Sequence, residues 1–174
     1  MRTLKIFKIS LFAFTVLSSC SLFAQAPEKP LSPADSAVGN IGNATVKIRY
    51  SSPSVKGRTI WGGLVPYDKV WRAGANEATT IEFSKDVIVE GKPLKAGKYG
   101  FFAIPHAGNW VIIFNREPMQ WGAFNYNEKM DALRINVKVI QVLSSRERLK
   151  YSVNKDGITL SWEKLEVPVN IKSR

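Results

Sequence analysis

Histidine occurs once in this chain, at His106, within the turn-like segment "PHAGN" (105–109). A His-dependent catalytic triad or a multi-histidine metal site therefore cannot be built within one chain. Cysteine also occurs once, at Cys20, which excludes a disulfide framework and a Cys-based metal centre. Paired carboxylate chemistry has candidates in Asp68, Glu77, Glu82 and Asp131, although these read as strand-end or surface acids. "GGLVP" and "AGANEA" lack the spacing and the following helix that would converge backbone N–H groups on a phosphate. No Asp-rich loop offers the clustered oxygens that calcium needs. The residues thus assign no catalytic group, no metal and no cofactor.

What remains is polar and concentrated in "VWRAGANEATTIEF" (70–83), where Arg72, Asn76 and Glu77 fall within six positions. Arg72 and Glu77 carry opposite charges across a glycine-containing turn, and a bidentate pair between them would pin that turn to a sheet. The other reading is a ligand pocket. The long loop "SPSVKGRTIWGGLVPYDK" (52–69) brings Arg58 and Tyr67, and loops of that length in compact domains tend to be functional. Arg58, Tyr67, Trp71, Arg72, Asn76 and Glu77 are accordingly the candidate ligand-binding set for a glycan or small polar ligand. Two alternatives stay open: a hydrolase in which Glu77 acts with Arg58 or Arg72, and a purely structural module. Trp61, Trp71 and Trp121 lie in turn-like contexts, and with Tyr67, Phe124 and Tyr126 they would either stack on sugar rings or plug the ends of a sandwich. Trp110 and Trp162 lie on strand faces and are expected in the core.

The elements that carry these residues are strands. In "ATVKIRY" (44–50), Ala44, Val46, Ile48 and Tyr50 share one face, and Thr45, Lys47 and Arg49 the other. Residues 79–83 and 86–90 read as strands, and 90–97 as a hairpin with a glycine bend. Segments 98–104 and 109–115 are apolar on both faces, so they belong in the middle of a sheet covered on each side, paired through a short turn. Ile135, Val137 and Val139 alternate until the phase shifts at Ile140 and Val142, which predicts a β-bulge near 139–140. Leu149, Tyr151 and Val153 make the next face, "NKDG" (154–157) turns, and Ile158, Leu160 and Trp162 follow. Val167, Val169 and Ile171 end the domain, and Pro168 makes that last strand an expected edge. Only 126–134, "YNEKMDALR", has a helical pattern. The expected fold is all-β, an antiparallel β-sandwich or jelly-roll-like domain with at most one short helix.

Ahead of this domain (41–174), residues 1–24 read as a secretory signal. Arg2, Lys5 and Lys8 precede a short apolar run at 11–17, too short for an anchor, so no transmembrane span is expected in the mature chain. "LFAQA" places an ordinary cleavage after Ala24, whereas "LSSC" resembles a lipobox that would leave a lipid-anchored Cys20. Mass spectrometry of the mature chain is expected to find Gln25 or a lipidated Cys20 at the start, and an intact Met1 in the envelope fraction would exclude the signal. Residues 25–40, rich in Pro, Ala and Ser, read as an extended linker. The formal charge is +11, and loss of the leader's three basic residues leaves +8. That favours an anionic cell-envelope component as neighbour over nucleic acid, which export takes out of reach. The expected location is periplasmic or in the cell envelope.

"YSSPSVKGRTIWGGLVPYDKVWRAGANEATTIEF", with "AGKYGFFAIP", "WVIIFN" and "WGAFNY", resembles an exported bacterial family, domain of unknown function 2911, over essentially the whole mature domain. Pro53, Gly57, Arg58, Pro66, Trp71, Arg72, Gly74, Ala75, Asn76 and Glu77 follow its pattern. Ser52 stands where Arg is expected, which removes one cation from the candidate pocket, and Ala73 where Thr is commoner. The resemblance implies a β-rich secreted domain and no activity.

Overall fold

The computed structural model describes residues 31–174, and the expected leader and the first part of the linker lie outside the described residues. Ten strands form two antiparallel sheets packed as a β-sandwich. The strands are β1 (Ala34–Ile41), β2 (Ala44–Ser51), β3 (Thr80–Phe83), β4 (Val87–Val89), β5 (Lys92–Leu94), β6 (Gly97–Pro105), β7 (Asn109–Asn115), β8 (Asp131–Lys138), β9 (Ile140–Asn154) and β10 (Gly157–Ser173). One sheet has the order β1-β2-β3-β6-β7-β8, the other β5-β4-β10-β9.

Alternation decides which side chains meet between the sheets. Ala44, Val46, Ile48 and Tyr50 of β2 are buried, as are Ile81 and Phe83 of β3, and they face Tyr151, Leu160 and Val169 of the second sheet in one continuous core. β6 and β7 pair antiparallel with Phe101 opposite Phe114, and both faces of this central pair are covered. Tyr99, Phe101, Trp110, Ile112 and Phe114 point inward, while Phe102 and Ile113 point outward under Ala78, Val70, Ala123 and Tyr126. At one end Trp61, Trp71, Trp110 and Trp162 pack edge to face or stacked, with ring centres 4.8–6.1 Å apart. Trp61 and Trp71 therefore close the sandwich instead of facing a ligand.

Four sequence expectations change. Residues 34–40 are not linker but the edge strand β1, paired along its length with β2. The small residues of "ADSAVGN" obscured the alternation, and Gly39 is small because a Cβ there would sit 2.9 Å from Val153. Residues 126–134 form no α-helix. A single 3₁₀ turn spans Glu128–Met130, and β8 starts at Asp131 because β7 has an open edge there. Pairing with that edge outweighs the helical propensity of the local sequence. The phase shift at 139–140 is not a bulge within one strand. It is where the chain leaves the first sheet as β8 and enters the second as β9.

The last strand is not an edge either, since β10 lies between β4 and β9. Its 17 residues would span about 55 Å if straight, yet Ile171 N donates to Asp156 O across its two ends. β10 is thus sharply bent, with register shifts on both sides of Glu163 (φ 52°). Pro168 falls between Glu166, the last residue paired with β9, and Ile171, the first paired with β4. Its missing N–H breaks no ladder there. The exposed side of β9 is covered instead by residues 52–55, through Val55 N to Glu147 O (2.7 Å) and Leu149 N to Pro53 O (3.0 Å).

The tyrosines make the fold sensitive to alkali. Burial, opposed by the N–H of Tyr151 and reinforced by the hydrogen bond to Asp35, pushes Tyr50 up to about 12. Burial and the hydrogen bond to Asp131 do the same for Tyr126, to about 12, and burial raises Tyr151 well above 10. In the unfolded chain these phenols ionise near 10. Their contribution to stability is therefore full below pH 10 and is lost as the pH rises through 12. Phenolate absorbance should show them ionising in one step that coincides with loss of near-ultraviolet circular dichroism. Gradual ionisation near pH 10 with the fold intact would contradict this placement.

Candidate functional site

The segment 70–83 is an excursion beside β6. Trp71 exchanges both backbone hydrogen bonds with Ala103, at 2.7 and 2.9 Å, and Phe101 N donates to Thr79 O at 2.7 Å. Between them residues 72–78 loop out, with Ala73 (φ 52°) and Asn76 (φ 56°) in the left-handed region. Neutral hydrogen bonds hold the loop. Ala73 O accepts from Tyr151 OH (2.7 Å) and Thr79 Oγ1 (3.0 Å), Gly74 O accepts from Trp71 Nε1 (3.1 Å), and Ala75 N donates to Ser51 O (3.2 Å). Gly74 has no side chain because a Cβ would lie 2.8 Å from Thr79 Oγ1. The expected Arg72–Glu77 ion pair is absent from the ion pairs among the described residues. Glu77 faces solvent, whereas Arg72 is half-buried, with burial lowering its pKa and Nε left without a hydrogen-bond partner. The turn is locked, but by backbone carbonyls and hydroxyls.

The outer edge of this turn carries a second segment, the strap of residues 116–130 between β7 and β8. Ala78 N donates to Gln120 O (2.9 Å) and Gly122 N to Asn76 O (3.1 Å), and Glu77 bridges to Trp121. Gly100 in β6 lets the strap lie against the sheet, since a Cβ there would come within 2.9 Å of Glu117 O. At its far end Asp131 fastens the strap. Its carboxylate accepts from Tyr126 OH (2.7 Å), Asn115 Nδ2 (2.8 Å) and Arg134 Nε (2.5 Å). Burial alone would lower the Arg134 pKa, but its hydrogen bonds to Tyr126 and Asp131 outweigh that and raise it. This is the charged lock of the domain, and it lies some fifty residues from where the sequence suggested one.

Between the strap and the outer faces of β1, β2 and β3 is an open cleft of about 630 Å³. Arg49, Thr80 and Lys98 form its floor, Trp121 and Met119 stand on the strap side, and Asp35 and Glu77 lie on its walls. Trp121 is 60% exposed and Met119 81%. Tyr50 OH donates to Asp35 Oδ2 (2.9 Å) and Ser36 N to Asp35 Oδ1 (2.7 Å), so both oxygens of that carboxylate are engaged.

Of the six candidate ligand residues, only Glu77 lines this cleft. Asn76 stands behind it, donating through Nδ2 to Ser51 Oγ and Ser32 O, each at 3.3 Å. Trp71 is in the core. Arg58 ties off its own loop, donating to Val55 O (3.1 Å) and Ser54 O (2.5 Å). Tyr67 is 40% exposed and lies over Gly62, whose Cβ would come within 3.0 Å of the ring. Neither Arg58 nor Arg72 joins Glu77 in the cleft, so the three groups named for hydrolysis are not assembled there. His106 Nδ1 pairs with Asp68 on an exposed turn. The aromatic set also divides, because Tyr126 packs on Phe102 at 5.2 Å while Trp121 and Phe124 remain exposed. Arg49 and Lys98, which line the cleft, carry no local sequence signal beyond the place of Arg49 on the polar face of "ATVKIRY".

Residues 32–171 match the family described as "Protein of unknown function (DUF2911)". Neither the comparison with curated proteins nor that with solved structures gives a match.

Proposed function

The chain belongs to the DUF2911 family, and we propose that its domain is a non-catalytic module that binds a glycan in the cleft beside Trp121. The observation that carries this reading is the way Trp121 is held. Leaving a large apolar side chain in water forgoes about 1.5–3 kcal/mol of burial, yet the backbone hydrogen bonds of Gly122 N to Asn76 O and of Ala78 N to Gln120 O flank the residue and fix its place. A sugar ring needs such a flat apolar surface next to groups that bond its hydroxyls. Arg49 and Lys98 supply donors, Glu77 an acceptor, and Thr80 and Ser36 both. Glu77 is exposed, without the apolar enclosure that makes a carboxyl an effective general acid, which favours binding over hydrolysis. We place the module in the cell envelope, exported by its leader or held there through a lipidated Cys20, where glycans are at hand.

Calorimetric titration of the purified domain against envelope oligosaccharides tests the reading. Trp121→Ala should lower the affinity at least tenfold, about 1.4 kcal/mol, with no change in melting temperature. Phe124→Ala, on the same strap but outside the cleft, should bind as the parent does. If Trp121→Ala also binds as the parent does, the cleft is not the site.

A further inference from the structure

The cleft floor has an uneven charge distribution that narrows the class of ligand. Arg49 and Thr80 are cross-strand partners on β2 and β3, and Thr80 is in turn opposite Gly100 on β6, two residues from Lys98. Strands lie about 4.8 Å apart, so Arg49 and Lys98 flank Thr80 from two sides at a spacing their side chains can close. Neither cation has an ion-pair partner among the described residues. The one hydrogen-bond-like contact of Lys98 Nζ is Met119 Sδ at 3.8 Å, a weak acceptor.

The carboxylates nearby form no ion pair with them. Asp35 spends both oxygens on Tyr50 OH and Ser36 N. Glu77 is exposed and on the strap side, bridged to Trp121. Glu82 sits between Lys47 and Lys98 in the ladder but does not line the cleft. The floor therefore presents two unpaired cations on either side of a hydroxyl, with an indole and a thioether above.

Resting on the glycan reading, we propose that the ligand is an acidic saccharide whose carboxylate is received above Thr80 between Arg49 and Lys98 while its ring stacks on Trp121. The two cations are the specificity determinants, and Trp121 supplies affinity for sugar rings of either charge. An Arg guanidinium matches the two oxygens of a carboxylate, and Lys adds a point charge from the other side. The net positive charge of the mature chain draws such ligands toward the surface.

The test compares a galacturonate oligomer with the galactose oligomer of the same length and linkage, titrated calorimetrically into the domain. The acidic oligomer should bind at least tenfold more tightly at low salt, and its advantage should shrink as salt is added. Arg49→Gln and Lys98→Gln should each remove part of the advantage and the double variant nearly all of it, read as the ratio of acidic to neutral affinity so that a donor lost to the hydroxyls of both oligomers cancels, with the melting temperature unchanged. Equal binding of the two oligomers by the parent would overturn the charge proposal and leave the glycan reading standing. Failure of both to bind would remove the glycan reading and the proposal with it. A double variant that keeps the preference would show that these cations are not the receptors.

Discussion

Replacing Phe114 by alanine should destabilise the domain by about 3–5 kcal/mol. The ring is fully buried on β7, an interior strand of the six-stranded sheet with β6 on one side and the edge strand β8 on the other. It packs edge-on against Phe101 (5.5 Å) and Tyr99 (6.5 Å) and tilted against Phe83 (6.1 Å). Those neighbours sit on two strands, β3 and β6, fixed by their own ladders, so they cannot collapse into the space the ring leaves. Retained cavity is what moves such substitutions to the upper part of their range. Phe101→Ala should fall in the same range, because that ring joins the two sheets through its edge contact with Tyr151 at 5.9 Å. Urea denaturation should show a lower midpoint with an unchanged slope. Phe124→Ala, at a position 83% exposed, should stay within about 0.5 kcal/mol of the parent. A loss under about 1 kcal/mol at both core positions would mean that the sheets do not pack on these rings.

How legible the molecule was depended on how local each signal is. Alternation is a property of a few consecutive residues, so β2, β6 and β7 could be read directly, as could the covered faces of the central pair. Where the deciding partner was distant in sequence, the reading failed. Nothing local says that "NEKMDALR" meets an open strand edge, or that "ADSAVGN" will pair with β2. Pro168 has the look of an edge marker because the second partner of β10, the distant strand β4, leaves no local signal. The candidate site residues are not brought together, because their orientation depends on the turn and on distant strands. Arg72 and Glu77 are neighbours along the chain, but a tight left-handed turn points one inward and the other outward. The conspicuous motif borders the cleft, since its backbone places Trp121, while the cleft floor comes from the polar faces of strands that looked ordinary. Arg49 and Lys98 are separated by 49 positions, and only the strand order brings them to one surface.

The second large effect concerns Asp131, whose side chain is only 9% exposed and which three donors approach. Asp131→Ala would leave Asn115 Nδ2, Tyr126 OH and the Arg134 guanidinium without their shared acceptor. Breaking a buried pair by removing one partner typically costs about 3–5 kcal/mol. Arg134 is 33% exposed and also reaches Glu128 at 3.1 Å, so it can be partly resolvated, and the lower end, about 3 kcal/mol, is expected. Arg134→Leu alone should cost less, because Asp131 keeps Asn115 and Tyr126. Combining the two changes should do less harm than the sum, and a double-mutant cycle measures that coupling directly. On the proposed reading, the strap ties this stability to the cleft. Its base is fastened by Asp131 and its tip by Asn76 and Ala78, so a chain without Asp131 should lose order in the strap before the sheets unfold. Hydrogen exchange should then rise first at residues 116–130, and ligand affinity at Trp121 should fall under conditions where the core is still protected. If both single variants keep the parent's stability and exchange pattern, the backbone bonds of Asn76 and Ala78 hold the strap by themselves.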